Sequence, residues 1–211
     1  MEEDGEKFVI ILADETKVRY NVEKSFGELH MNFLKDSASM IYRMIITHIG
    51  MAVFGLVLFL ATNLKGSMVM LLAGIFSAAF YAVIVYTTMW EYGAKDKAAF
   101  DAGRRTSAFK RGFFTCFAAE LVFIIVALVY LVCSFIEGAN AVATVCYTIE
   151  IVLNSCFTGI MLFVKNAFST DVFIAPIYII GSVIISAIGA FGYVLGTKDL
   201  TIVPKKANNK Q

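Results

Sequence analysis

Five apolar stretches dominate the chain: residues 44–62, 68–90, 112–136, 141–164 and 174–196, of 19, 23, 25, 24 and 23 residues. About 20 apolar residues cross a hydrocarbon core of roughly 30 Å as a helix. All five reach that length or come within a residue of it, and together they take 114 of 211 positions. Ahead of them the pattern changes. Val18, Tyr20 and Val22 alternate with Lys17, Arg19 and Asn21, the period of a half-buried strand. With the Phe8–Ala13 run and an Asp14-Glu15-Thr16 turn, this predicts a small hairpin over 8–22. Such a hairpin is marginal alone, so it is expected to lean on another element or on another copy. Ser25 and Glu28 fit a capping box, and Leu29, Phe33, Met40 and Met44 follow at roughly helical spacing. This predicts an amphipathic interfacial helix over 26–42.

The predicted fold class is an all-α integral membrane helical bundle of five membrane helices, four or five of them full spans. It carries a small N-terminal β-hairpin and an interfacial helix (residues 1–42), a transmembrane domain (43–196) and a basic tail (197–211). Residues 63–67 read as a tight turn joining the first two stretches. Trp90, Tyr92, Phe113 and Phe114 flank a basic segment over 91–111, as an aromatic belt does at the headgroup level.

Composition agrees with this pattern. Hydrophobic residues make 59% of the chain and charged ones 17%, against roughly 25% charged in a soluble domain. That excludes a disordered chain and disfavours a water-soluble globule. The net charge of +1 points to no partner, but its distribution matters. Segment 91–111 holds six bases, Lys95, Lys97, Arg104, Arg105, Lys110 and Arg111, which the positive-inside rule places in the cytoplasm. The N-terminus is acidic and lacks a leader's apolar core, so it is expected on that side too. Five full spans put 13 bases inside and five outside; a fourth stretch that enters and leaves from one face puts 16 inside and two outside. Charge therefore favours four spans and a cytoplasmic tail. Hydropathy weakly favours five, because the apolar residues of 141–164 roughly offset a cost of about 2.5–3.5 kcal/mol for Glu150 at mid-depth. The four-span threading is preferred.

Few polar residues interrupt the apolar stretches. Tyr147, Glu150, Asn154, Thr158 and Lys165 share one face if 141–164 is a single helix. Such a stripe does not face lipid, because buried polar groups need partners. If 141–164 spans as one helix, Glu120 in the third stretch lies at a depth similar to Asn154 and the two can meet across the helix interface. Glu120, Glu150, Asn154 and Thr158 are thus the candidate intramembrane polar site. They form either a proton or cation relay or a hydrogen-bonded glue between helices, Glu120 being protonated or bonded to Asn154. With no lysine or arginine as partner within the stretches, glue is the preferred reading. His48 has no second histidine or carboxylate on its own helix and is not expected to bind metal. Cys116, Cys133, Cys146 and Cys156 lie in apolar stretches and read as small buried side chains. Gly192 and Gly196 form a G-x-x-x-G helix-packing signal, and Pro176 suits a first helical turn.

The polar loop is the second candidate. Lys95, Asp96, Asp101, Arg104 and Arg105 form a candidate cytoplasmic docking surface, with a backbone turn at Gly103 and anionic lipid headgroups as the default partner. Trp90, Gly93-Ala94-Lys95-Asp96, Asp101, Gly103-Arg104 and Gly112, with Gly192-Tyr193 and Leu195-Gly196, resemble an uncharacterised family of multi-spanning membrane proteins from clostridial and related bacteria. The resemblance covers about residues 90–196 and implies a bacterial cytoplasmic membrane and a cytoplasmic 91–111 loop. It carries no activity and no catalytic residues.

No H-E-x-x-H, G-x-S-x-G or P-loop pattern is present, and no basic-aromatic surface suits nucleic acid. The expectation is a non-enzymatic accessory or interaction subunit, without cofactor, metal or nucleic acid, that contacts lipid and another membrane protein or itself. The alternative is a small transporter or channel-like protein using Glu120, Glu150 and Asn154.

Overall fold

Inside a bilayer only a helix or a closed barrel satisfies every backbone N–H and C=O, so apolar segments of this length fold as helices. The computed structural model describes residues 35, 37–105, 107–136, 140–168 and 174–200. Every regular element among them is an α-helix. The hairpin expected over 8–22, most of the interfacial helix and the basic tail beyond residue 200 lie outside the described residues. The chain divides into two units, Met1–Ser39 and Met40–Gln211, and the packing below is that of the second.

Four helices are long and apolar enough to cross a membrane: α1 (Ser37–Thr62), α2 (Ser67–Asp101), α3 (Ala108–Ser134) and α6 (Ile174–Thr197). Two shorter apolar helices, α4 (Asn140–Leu153) and α5 (Ser155–Phe168), lie between α3 and α6. The outer surface is apolar: Val53, Leu60, Leu72, Val122 and Ile184 are all exposed. The interior holds a set of polar groups. His48, Ser77, Thr115, Glu120, Glu150, Asn154, Ser182 and Ser186 are buried. A soluble protein would not carry an apolar belt of that extent, whereas a bilayer solvates it.

Both turns between long helices rest on glycine. Gly66 (φ 101°) reverses the chain before α2, as the 63–67 pattern predicts. Gly103 (φ 68°) ends α2, and the N–H groups of Gly103 and Arg104 close back on the carbonyls of Phe100 and Ala99. This is the Schellman arrangement, in which a left-handed residue caps the last carbonyls. The 91–111 segment is therefore mostly helix, not loop. α2 runs on to Asp101 and α3 starts at Ala108.

The fourth apolar stretch is not a single helix either. Each arm has 14 residues, about 21 Å at the helical rise and short of a full crossing. Lys165 Nζ stands 5.1 Å from the ring of Tyr147, where one continuous helix would hold the two residues ~27 Å apart. The chain therefore doubles back. α4 packs on α3, with Tyr147 against Tyr130 near the C-terminal end of α3 at 5.9 Å between rings. α5 packs on α2, where a side chain at Gly159 would collide with the Met70 carbonyl near the start of α2. The end of α3 and the start of α2 lie at one face. α4 and α5 thus form a re-entrant pair that descends from that face and returns to it, with Asn154 at the tip. The two halves of the Tyr147–Lys165 stripe consequently belong to different helices.

The packing of α2, α3 and α6 explains the scattered residues 90–196. Side chains at Gly192, Gly196 and Gly93 would strike the carbonyls of Tyr86, Trp90 and Tyr193, so α2 and α6 cross at backbone contact. Gly112 admits Tyr193 in the same way. The Tyr193 hydroxyl donates to Asp96 Oδ2, which Arg105 and Arg111 also pair with. Trp90 Nε1 donates to the Leu200 carbonyl at 2.8 Å and ties down the end of α6. On the same face Arg43 of α1 pairs with Glu91 of α2 at 3.2 Å.

Candidate functional site

Four helices bring polar side chains together near mid-depth, and His48 of α1 is the hub. Its Nε2 lies 3.1 Å from the carbonyl oxygen of Leu153, which only accepts, so Nε2 carries a proton and donates. Its Nδ1 lies 3.1 Å from Glu120 Oε1 on α3 and 3.0 Å from the Tyr81 hydroxyl on α2. The Tyr81 hydroxyl donates to Glu120 Oε1 at 2.5 Å, and Ser182 Oγ on α6 donates to Glu120 Oε2 at 3.1 Å. One proton remains to be placed, between His48 Nδ1 and Glu120 Oε1. On nitrogen it makes an imidazolium–carboxylate pair; on oxygen it makes a neutral pair. Either way the couple is electrically neutral as a unit, which lowers the cost of keeping it buried. The ring is fixed by stacking on Phe123, 3.7 Å between centroids, and by the edge of Tyr81 at 5.4 Å.

The Leu153 carbonyl is free for His48 because the helix breaks one residue later. Asn154 N–H still bonds the Glu150 carbonyl, but Phe157 N–H turns to the Asn154 carbonyl, three residues back. The carbonyls released at the tip are taken by side chains. Ser155 Oγ reaches that of Val152 at 3.0 Å, and Thr158 Oγ1 reaches that of Ile151 at 3.3 Å, across the break. The same Ser155 proton is shared with the Ala52 carbonyl, and Cys156 Sγ donates to that of Met51, which pins the start of α5 to α1. Irregular backbone at membrane depth survives only when protein supplies such partners. Thr158 also lies 3.3 Å from the Tyr178 hydroxyl of α6.

Glu150 and Asn154 stand beside this hub. Asn154 Nδ2 donates to Glu150 Oε2 at 2.6 Å. The other carboxyl oxygen of Glu150, Oε1, and the amide oxygen of Asn154, Oδ1, are buried and have no hydrogen-bond partner. On the side of the re-entrant face, a cavity of about 10 Å³ lies between α1, α2 and α5, room for one water. It is lined from Thr62 inward by Gly55, Gly74, Ser77, Gly159 and Ser155.

Glu120, Glu150, Asn154 and Thr158 are all buried. Glu120 and Asn154, whose meeting required 141–164 to span as one helix, do not pair: Glu120 turns to His48, Tyr81 and Ser182, and Asn154 to Glu150. The cause is the break, which ends α4 at the level of His48. His48, which has no partner on its own helix, is the partner that Glu120 lacked. A lone histidine and a lone carboxylate in two apolar segments were the signal, since each is costly in lipid unless paired. Tyr81 and Ser182 gave none, being common in apolar helices.

The docking residues divide. Asp96 and Arg105 pair with each other, and Lys95 lies 5.3 Å from the Tyr92 ring. Asp101 and Arg104 stand exposed at the turn. The four cysteines are free thiols, with Cys116 and Cys156 fully buried. Among the described residues no group of three or more His, Cys, Asp or Glu is placed to hold a metal ion. No family model, no curated protein and no solved structure matches this chain.

Proposed function

We propose that this protein is a small non-enzymatic transporter that moves protons or small cations across a bacterial cytoplasmic membrane. The observation that carries the reading is the His48–Glu120 couple, whose single movable proton sits at the tip of a re-entrant helix pair. Intramembrane carboxylates mark ion and proton routes, and helices broken at mid-depth build the binding sites of many carriers. A group that exchanges a proton between nitrogen and oxygen without changing net charge is suited to relay. The cavity lined by Thr62 and Ser155 approaches it from one face. Buried Thr115 and Ser186 lie on α3 and α6 on its other side.

In this reading the start of α1, the 102–107 turn and the end of α6 are cytoplasmic. They gather Lys95, Lys97, Arg104, Arg105, Lys110, Arg111 and Lys198 on one side, against anionic headgroups at about 1 kcal/mol per base. The α4–α5 pair opens to the opposite face. A second copy of the chain completes any conduit wider than one relay.

Exposed Asp101 and Arg104 at the α2–α3 turn favour the second reading, an accessory subunit that docks another membrane protein there. Reconstituted vesicles separate the two. With a potassium diffusion potential and a pH dye inside, the wild-type chain should conduct, and Glu120→Gln should reduce the rate at least tenfold. Wild-type vesicles as tight as empty ones would defeat the transport reading and leave the docking one.

A further inference from the structure

Between α1, α2 and α5, we infer that the Ser77 hydroxyl binds one ordered water, and that protons from the re-entrant face enter through this water on their way to the His48–Glu120 couple. Ser77 is 1% exposed, lines the cavity between these helices and has no hydrogen-bond partner at Oγ. Hydroxyl side chains inside a helix can turn back to a carbonyl of the preceding turn. Thr62 and Ser186 do so, to Leu58 and Ser182, and Ser77 does not. The Cys156 thiol neighbours Ser77, but its proton goes to the Met51 carbonyl and its sulfur is a weak acceptor. A buried hydroxyl in that position calls for a partner that the protein does not supply.

The cavity fits that partner. Its volume of about 10 Å³ is enough for a single molecule, and a void of this size fills when its walls are polar and stays dry when they are not. Ser155 Oγ lines it beside Ser77, and Thr62 Oγ1 lines it nearer the face. Both spend their protons on carbonyls, so each keeps a lone pair to accept from water while Ser77 donates to it. The walls cannot fold in, because Gly55 and Gly74 already meet the backbone of α5 at Ser155 and Gly159. The position suits entry. α1 ends and α2 begins at the re-entrant face. Ser77 lies one turn, about 5–6 Å, on the face side of Tyr81. Ala52, whose carbonyl holds Ser155, lies one turn on the face side of His48. The Tyr81 hydroxyl in turn is bonded to both members of the couple. A proton arriving from the face joins the water, which releases one of its own inward. The water ends unchanged, and the couple gains one proton, held as an imidazolium beside a neutral carboxyl.

The entry role rests on the transport reading; the water site does not. The test uses the full chain in sealed lipid vesicles. Ser77→Cys, in a background lacking the four native cysteines, is treated with Ag⁺, an ion about as wide as water, from the side on which Lys65→Cys labels. Thiols left unreacted are counted with a maleimide after denaturation. The Ser77→Cys thiol should react at least tenfold faster than that of a chain keeping only Cys116, which is equally buried but packs against Gly189, away from the cavity. Ser77→Val, which fills the space with methyl groups, should cut proton flux per folded molecule at least tenfold. Should these variants fail to fold, the wild-type chain decides by solid-state NMR. Water magnetisation is expected to reach Gly74 and Gly159, which line the cavity, several-fold faster than Gly189 and Gly192, which do not. A thiol no faster than Cys116, or equal transfer to the four glycines, overturns the water site, and wild-type flux in Ser77→Val overturns the entry role. Flux with Gly74 and Gly159 dry overturns the site alone, whereas water contact there without any flux overturns only the transport reading.

Discussion

His48 of α1 donates to the backbone carbonyl of Leu153 at 3.1 Å, across 105 positions of chain. That bond joins the first span to the broken end of α4. It satisfies a carbonyl that the helix no longer covers, and it holds the imidazole with Nδ1 toward Glu120. The break and the buried couple are thus one device: each supplies what the other lacks.

Replacement of His48 separates its two roles. His48→Leu strands both the Leu153 carbonyl and Glu120, so a loss of about 3–5 kcal/mol is expected, the range for removing one partner of a buried pair. His48→Gln keeps a donor and should lose less than half of that. Equal losses for the two, read by chemical or thermal unfolding in detergent, would show that the Leu153 bond contributes nothing.

Glu120 should behave differently in function and in stability. Glu120→Gln keeps the shape and an acceptor for Tyr81, so a destabilisation of about 1–2 kcal/mol is expected, within the range for one weakened buried hydrogen bond. Proton flux, which needs the exchangeable site, should fall at least tenfold. Parallel measurement of midpoint and flux checks this, and flux that falls only in proportion to folded protein counts against the relay.

Lys65 and Asn166 report the threading. Both are exposed, Lys65 in the α1–α2 turn and Asn166 near the end of α5. Cysteines placed there in a background lacking the four native ones should react with an impermeant thiol reagent from the same side. Labelling from opposite sides would mean that 141–164 crosses the membrane after all.

Gly196 tests the close crossing of α2 and α6. Any side chain there meets the Trp90 carbonyl and the backbone at Gly93, which cannot rotate away. Gly196→Val should cost about 1–3 kcal/mol or more, the range for overpacking. Gly50, whose added Cβ meets nothing within 4 Å, should accept alanine without loss, and unfolding of the two variants side by side decides it.

Asp96 closes the α2–α3 turn with Arg105, Arg111 and the Tyr193 hydroxyl. The groups are partly exposed, so Asp96→Asn should lose only about 1 kcal/mol, as partly screened pairs do. Flux should stay at the wild-type rate, because the turn lies at the membrane face and the couple at mid-depth. A collapse of flux in this variant would link the turn to the relay.

Much of this was legible along the chain. Four helices appear where the apolar runs stand, and the turns at Gly66 and Gly103 fall where their glycines do, because run length and backbone freedom are local properties. The scattered Gly93, Asp96, Gly112, Tyr193 and Gly196 were visible as a pattern but not as a single place; their meaning is a contact between α2, α3 and α6. The burial of Glu150, Asn154 and Thr158 was also legible, since polar side chains in apolar runs turn away from lipid. Their grouping was not, because a single-helix reading of 141–164 aligned Tyr147 with Lys165 along one rod rather than across a fold-back.

Hydropathy alone decided that the chain lives in lipid and which residues had to be hidden there, because transfer of side chains into hydrocarbon is a sum over positions. Packing decided the rest. Whether 141–164 crosses or turns back was nearly balanced in that sum, and the balance was tipped by partners no local pattern contains: the His48 donor for Leu153, the Thr158 hydroxyl for Ile151 and the glycine faces that admit α5 against α2.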